Sequence, residues 1–176
     1  NSDGSQAEMC GNATRCVGKY VYDRGLTDKT QITLETLAGI KILDLNVKDG
    51  EVQTVRVNMG SPELVPKNIP IDSNLDRFIS EDVEVDGKVY KVTGVSMGNP
   101  HAVTFIDDTD SLEIEKIGPK FETHKLFPKK INTEFAQIVD RNTIKMRVWE
   151  RGAGETLACG TGACATMVAA NLNGLV

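Results

Sequence analysis

Glu8-Met9-Cys10-Gly11-Asn12 near the start of the chain and Leu157-Ala158-Cys159-Gly160-Thr161 near its end read as two copies of one device. Each carries a Cys-Gly step. Fifteen positions beyond Cys10 stands Gly25, and fifteen beyond Cys159 stands Gly174, where a helix of matching length would place its C-terminal glycine. The sequence between is helix-compatible in both copies. Val17, Tyr20 and Val21 predict the buried stripe of the first helix, and Ala163, Met167 and Val168 that of the second, which runs over about residues 162–171. Each cysteine is therefore expected immediately before a helix.

Strands follow the first device. Gln31 to Leu37 and Ile40 to Val47 alternate in hydropathy, and Asp49-Gly50 joins the second of them to a further strand from Val52 to Asn58. A stretch with Pro62, Pro66 and Pro70 and little periodicity marks a change of domain between about residues 58 and 72. Beyond it, Asp86-Gly87 is a strong hairpin signal between Val83–Val85 and Val89–Val95. Ala102 to Ile106, Glu134 to Val139 and Ile144 to Trp149 read as strands, and Leu112 to Ile117 as a short helix. The expected architecture is mixed α/β (α+β) in two similar halves, residues 1–60 and 61–176, each a mixed or antiparallel sheet around a helix that begins at a cysteine. By the logic of the repeat, further segments are expected beyond Asn1 and beyond Val176.

Composition narrows the function. A length of 176 residues with 40% apolar content supports one domain or two small ones with a genuine core. Twenty Lys and Arg against 25 Asp and Glu leave a net charge of −5, the wrong sign for a chain that binds by neutralising phosphates, so nucleic acid is not an expected partner. No stretch reaches the roughly 18 apolar residues of a membrane span, and Asn1-Ser2-Asp3-Gly4 does not open a signal peptide. A soluble, cytoplasmic protein is expected. Four cysteines are too few for a disulfide scaffold, so each is core, ligand or catalyst.

A cysteine at a helix start faces unpaired N–H groups and the positive end of the dipole, which are expected to lower its pKa from about 8.5 and make it a usable base. Gly11, Gly160 and Gly162 let backbone N–H groups turn towards an anion, so a carboxylate can bind beside each sulfur. With two such starts facing one another, one sulfur takes a proton from a small substrate while the other gives one back. Cys16 and Cys164, inside the helices, are expected to be core. Zinc is disfavoured because five residues separate Cys10 from Cys16 and four separate Cys159 from Cys164, at or beyond the edge of ligand-pair spacing. Oxidation is expected to link Cys10 to Cys159 as an inactive state.

Asn1-Ser2-Asp3-Gly4-Ser5-Gln6-Ala7-Glu8-Met9-Cys10-Gly11-Asn12-Ala13-Thr14-Arg15-Cys16, Met97-Gly98-Asn99-Pro100-His101 and the run from Glu150-Arg151-Gly152 to Cys159-Gly160-Thr161-Gly162-Ala163 together resemble diaminopimelate epimerase, in order and over essentially the whole chain. The resemblance implies two related halves closing over a cleft. It also implies an isomerase without pyridoxal phosphate or any other cofactor, acting on L,L- and meso-diaminopimelate in lysine and peptidoglycan precursor synthesis. Carried over residue by residue, Cys10 and Cys159 resemble the acid/base pair. Asn1, Asn99 and Asn132 resemble the amides that hold the substrate's ends, and Glu150 and Arg151 the groups that meet its charges. Gly11-Asn12 and Gly160-Thr161 resemble the helix-start donors, and His101 and Glu150 the residues that tune the cysteines. A homodimer is within the same expectation.

One position departs from the family pattern, which usually has Gly where Ala13 stands; a positive φ there would strain the first loop. Two rivals remain at this stage. A proline racemase-like enzyme also uses two cysteines, but is expected to carry His where Asn12 stands and to lack Glu150-Arg151-Gly152. A non-catalytic, redox-sensitive binding protein would use the same cysteines as a reversible disulfide.

Overall fold

A computed structural model describes residues 9–176. They form two compact units, residues 9–60 and Ser61–Val176. The first begins with α1 (Gly11–Asp23), followed by β1 (Gln31–Thr36), β2 (Gly39–Lys48) and β3 (Glu51–Asn58) in an antiparallel meander of that order. Asp49 and Gly50 both take positive φ, 55° and 82°, the geometry of a two-residue turn whose twist matches its strands. α1 lies on β2 and β3. Its buried positions are Gly11, Thr14 and Gly18, whereas Val17 and Tyr20, expected inside, are exposed. The reason is distance. A Cβ on Gly18 would stand 3.0 Å from Leu43 and 3.1 Å from Leu45, so only a small residue lets the helix approach a sheet whose core is Leu43, Leu45 and Val52. Cys16, expected in the core, is exposed as well.

The second unit opens with a short 3-10 turn at Pro66–Asn68 and builds a six-stranded sheet from β4 (Glu81–Val85), β5 (Lys88–Ser96), β6 (Pro100–Phe105), β7 (Asn132–Asp140), β8 (Thr143–Glu150) and β9 (Gly154–Thr156), in sequence order. Every pair is antiparallel except β6 and β7, which are joined by the crossover helix α2 (Ile114–Glu122). That helix starts two residues later than expected and runs through Pro119 rather than stopping at Ile117. β9 had no counterpart in the hydropathy pattern; three residues are too few to show alternation. Asp86-Gly87 forms the expected tight hairpin, with φ of 56° and 76°.

Alternation along the strands sorts side chains to the two faces. Ala102 and Phe135 join Ile114, Phe121, Tyr90 and Phe127 in one core, with Phe121 edge-on to both Tyr90 and Phe135. α2 lies on the indole of Trp149 at Gly118, where a Cβ would fall 2.4 Å from the ring. The chain ends with α3 (Gly160–Leu172), packed on β5, β6 and β7. Its buried stripe is Thr161/Gly162, Ala165/Thr166 and Ala169/Ala170, not the expected Ala163, Met167 and Val168, of which Met167 is exposed. Small residues every four positions again set a close approach of helix to sheet. Cys164 is half-buried.

Candidate active site

The two Cys-Gly devices fold alike. α1 and α3 are each 13 residues long, and their N-cap residues, Cys10 and Cys159, have backbone angles of φ −126°, ψ 107° and φ −126°, ψ 112°. The far ends match as well. Gly25 and Gly174 follow the helices at φ 65° and 67°, with Gly25 N–H donating to Tyr22, Leu26 N–H to Val21, Gly174 N–H to Asn171 and Leu175 N–H to Ala170.

At the first device Cys10 is exposed and its side chain takes no capping hydrogen bond. Thr14 Oγ1 donates to the Cys10 carbonyl at 2.9 Å, and Asn12 Oδ1 accepts from Arg15. Ala13 has a negative φ inside α1, so the departure from the family pattern introduces no left-handed strain. Asn1 lies outside the described residues.

At the second device Cys159 is buried, and Gly162 N–H donates to its Sγ at 3.3 Å. Thr161 Oγ1 lies 3.3 Å from the same sulfur. Burial pushes the Cys159 thiol up to about 12, and the nearby carboxylates of Glu134 and Glu150 push the same way; the contacts from Thr161 and Gly162 only partly offset them. This corrects the expectation of a lowered value: desolvation outweighs the helix-start donors. Cys159 therefore rests as a thiol, a proton donor.

A chain of polar contacts runs from this sulfur into the sheet. Asn99 Nδ2 donates to Thr161 Oγ1 at 3.1 Å, Asn99 Oδ1 lies 3.0 Å from His101 Nε2, and His101 Nδ1 lies 2.7 Å from Glu134 Oε1. The strand register explains the meeting. His101 is the partner of Asn132 across the parallel β6–β7 pair, and Glu134, two residues along, shares that face. His101 and Glu134 have no exposed surface. Glu134 was missed by sequence reading, because a charge between Thr133 and Phe135 looks like a solvent-facing strand position.

Asn132 turns inward too. Its Nδ2 donates to the Pro100 carbonyl and its Oδ1 accepts from Arg151 N–H, both at 2.8 Å, tying the end of β8 to the start of β6. Among the described residues one amide hydrogen and one lone pair of Asn132 have no partner. Glu150 accepts from Thr156 Oγ1, and Arg151 Nη1 reaches the Lys129 carbonyl at 3.4 Å. The turn behind them is held by Glu122, which accepts from Trp149 Nε1, Lys130 Nζ and Gly152 N–H. Burial raises the Glu122 carboxyl, but those donors prevail and hold it below the usual carboxylate range.

The diaminopimelate epimerase family pattern matches residues 1–65 and 93–176. A diaminopimelate epimerase of Acetivibrio thermocellus is 65% identical over 175 residues, covering 99% of this chain and 62% of its own. One from Methanococcus maripaludis is 57% identical over 176 residues, covering 100% and 64%. The chain belongs to the diaminopimelate epimerase family.

The chain thus spans somewhat under two thirds of the length of these curated relatives. Among solved structures, a probable proline racemase of Agrobacterium radiobacter with bound carbonate superposes with a TM-score of 0.71 at 16% identity, over 96% of this chain and 54% of that one. A hydroxyproline epimerase of Agrobacterium vitis, with trans-4-hydroxy-L-proline bound, gives 0.71 at 13% identity, over 96% and 53%. A Bacillus anthracis phenazine biosynthesis protein of the PhzF family gives 0.58 at 21%, over 94% and 57%. These likenesses show the fold alone. Among the described residues no helix is long and apolar enough to cross a membrane.

Proposed function

We propose that the protein epimerises diaminopimelate, interconverting the L,L and meso forms without a cofactor. The observation that carries the reading is the pair of cysteines at N-caps whose backbone angles agree within 5°, heading helices of equal length, in a chain 65% identical to a diaminopimelate epimerase. The α-proton of an amino acid is a weak acid, so charge that develops on removing it must be met at the carboxylate by fixed donors. Helix starts supply them: Gly11-Asn12 at one device and Gly160-Thr161 at the other.

One sulfur, as thiolate, takes the α-proton and becomes a thiol. The electron pair left on carbon spreads into the carboxylate, and the second sulfur, as thiol, delivers its proton to the opposite face and becomes a thiolate. Cys159, buried and resting as a thiol, is the donor in the direction that Cys10 opens as base. The reverse direction exchanges their roles. Asn1, Asn99 and Asn132 hold the substrate's two amino-acid ends, Glu150 and Arg151 meet its charges, and His101 sets the state of Cys159.

The reading extends to a homodimer acting in the cytoplasm in lysine and peptidoglycan precursor synthesis, with no nucleic-acid partner. Incubation of the purified protein with L,L-diaminopimelate, followed by chiral chromatography, is expected to yield the meso isomer with no added pyridoxal phosphate. Turnover of proline or hydroxyproline in its place would make the racemase reading the correct one. Absence of any turnover, with a disulfide that cycles under mild oxidant, would leave the binding-protein reading.

A further inference from the structure

Glu134 has no part in that scheme, yet its carboxylate is wholly buried against the start of α3. A Cβ on Gly162 would stand 2.6 Å from Oε1, and Oε2 has no hydrogen-bond partner among the described residues. A buried carboxylate is destabilising unless it is engaged. Its engagement is His101, and hydrogen counting along the chain of contacts shows what that does.

Asn99 Oδ1 only accepts, so His101 Nε2, 3.0 Å away, carries a hydrogen. A further hydrogen lies between His101 Nδ1 and Glu134 Oε1, 2.7 Å apart. Glu134 and His101 together are neutral whichever atom keeps that shared proton. Asn99 Nδ2 then donates to Thr161 Oγ1, which leaves the Thr161 hydroxyl hydrogen to point at Cys159 Sγ beside Gly162 N–H. Two donors on sulfur suit a thiolate.

Turning the Asn99 amide end for end reverses every step. Nδ2 donates to a bare His101 Nε2, Oδ1 accepts the Thr161 hydroxyl hydrogen, and the Thr161 oxygen is left to accept from the Cys159 S–H. That arrangement suits a thiol. Both states are needed by a residue that alternately gives and takes a proton.

We propose that Glu134 is a positioning residue that acts through His101, Asn99 and Thr161 to set which protonation state of Cys159 the site supports. The proposal rests on the acid/base role of Cys159 given above. Because the carboxylate and the ring can share a proton between Oε1 and Nδ1, the pair can keep a second hydrogen on Nε2, facing Asn99 Oδ1. Glutamine can face the ring with either end. The Glu134→Gln variant keeps the shape and loses the bias. Among the described residues the titratable groups facing Cys159 are Glu134 on β7 and Glu150 at the end of β8, with His101 on β6 behind Asn99.

The test is the pH midpoint of Cys159 alkylation by iodoacetamide, resolved by peptide mass spectrometry, in the intact protein and its variants. Loss of one donor to a thiolate shifts ionisation about tenfold, so Glu134→Gln should move the midpoint upward, read as an about tenfold slower alkylation of Cys159 at a fixed pH below it. In a Thr161→Val background, where no hydroxyl ends the relay, Glu134→Gln should give no upward shift. A carboxylate acting only through space predicts the opposite, a downward shift of equal size in both backgrounds, and equal shifts of either sign would overturn the relay. The unsubstituted protein gives an independent reading: at neutral pH, where Cys159 is a thiol, nitrogen-15 NMR should find His101 Nε2 bare, as the thiol arrangement requires, and a hydrogen there overturns the proposal even if the variants do not fold. None of these readings uses substrate. Missing epimerisation with the midpoint shift intact would overturn the proposed function and leave the relay standing.

Discussion

Gly162→Ala is the sharpest perturbation the second unit offers. The added Cβ would stand 2.6 Å from Glu134 Oε1 and 3.2 Å from both Glu134 Cδ and Cys159 Cβ, whereas ordinary contact begins at 3.4 Å. An overlap of about 0.8 Å has two reliefs. Either α3 lifts off the sheet at its first turn, or the Glu134 carboxylate swings away from His101 Nδ1. Overpacking of this kind costs about 1–3 kcal/mol, and a carboxylate that leaves its buried partner adds about 1–3 kcal/mol. Against that, Ala is a better helix former than Gly by at most about 1 kcal/mol. The net expectation is a loss of about 1–5 kcal/mol. Urea unfolding followed by fluorescence of Trp149, the single tryptophan, reads this unit directly. In a Glu134→Ala background only the 3.2 Å approach to Cys159 Cβ remains, so the same substitution should cost much less. A Gly162→Ala protein as stable as the parent, or equal losses in both backgrounds, would refute the steric account.

Cys159 should react with iodoacetamide more slowly than exposed Cys10 and Cys16 at neutral pH, with a rate that keeps climbing above pH 9 towards the value near 12; a plateau below pH 9 would contradict its desolvation. The same raised value means the folded state holds that proton more tightly than the unfolded chain, so the group's contribution is constant below about pH 9 and stability falls as pH rises beyond it, a slope that Cys159→Ala should reduce. Phe121→Ala, which removes a buried ring edge-on to Tyr90 and Phe135, should destabilise the second unit by about 3–5 kcal/mol, seen as a clear drop in urea midpoint. Cys16→Ser, on the exposed side of α1, should change stability by under about 0.5 kcal/mol and leave turnover intact.

The helix starts and ends were legible in sequence because caps are local. A cysteine followed by glycine, and a second glycine fifteen positions on, carry their geometry in the residues themselves. Asp49-Gly50 and Asp86-Gly87 were legible for the same reason, since left-handed φ pairs admit few residue types. The faces of the helices were not. Gly18, Thr161, Ala165 and Ala169 are small rather than markedly apolar, and what places them inside is the nearness of a sheet, which no periodicity reveals; Val17 and Met167 were chosen instead for their hydropathy. The bounds of α2 were not legible either: the expected helix covers Leu112 to Ile117, whereas α2 runs over Ile114–Glu122 with Pro119 inside it. Glu134 was hidden because its meeting with His101 depends on the register of two strands whose paired residues lie 31 apart. The pKa of Cys159 was misjudged because its burial is tertiary, whereas the helix-start donors that oppose it are local.

Proton NMR in deuterium oxide, following the α-hydrogen of L,L-diaminopimelate with the parent protein and with Cys10→Ala and Cys159→Ala in parallel, tests the two-sulfur scheme most directly. The parent should incorporate deuterium at the α-carbon as the meso isomer appears, and each single variant should lose epimerisation. Full epimerisation with either sulfur removed, or meso product formed by the parent without deuterium, would contradict proton transfer between Cys10 and Cys159.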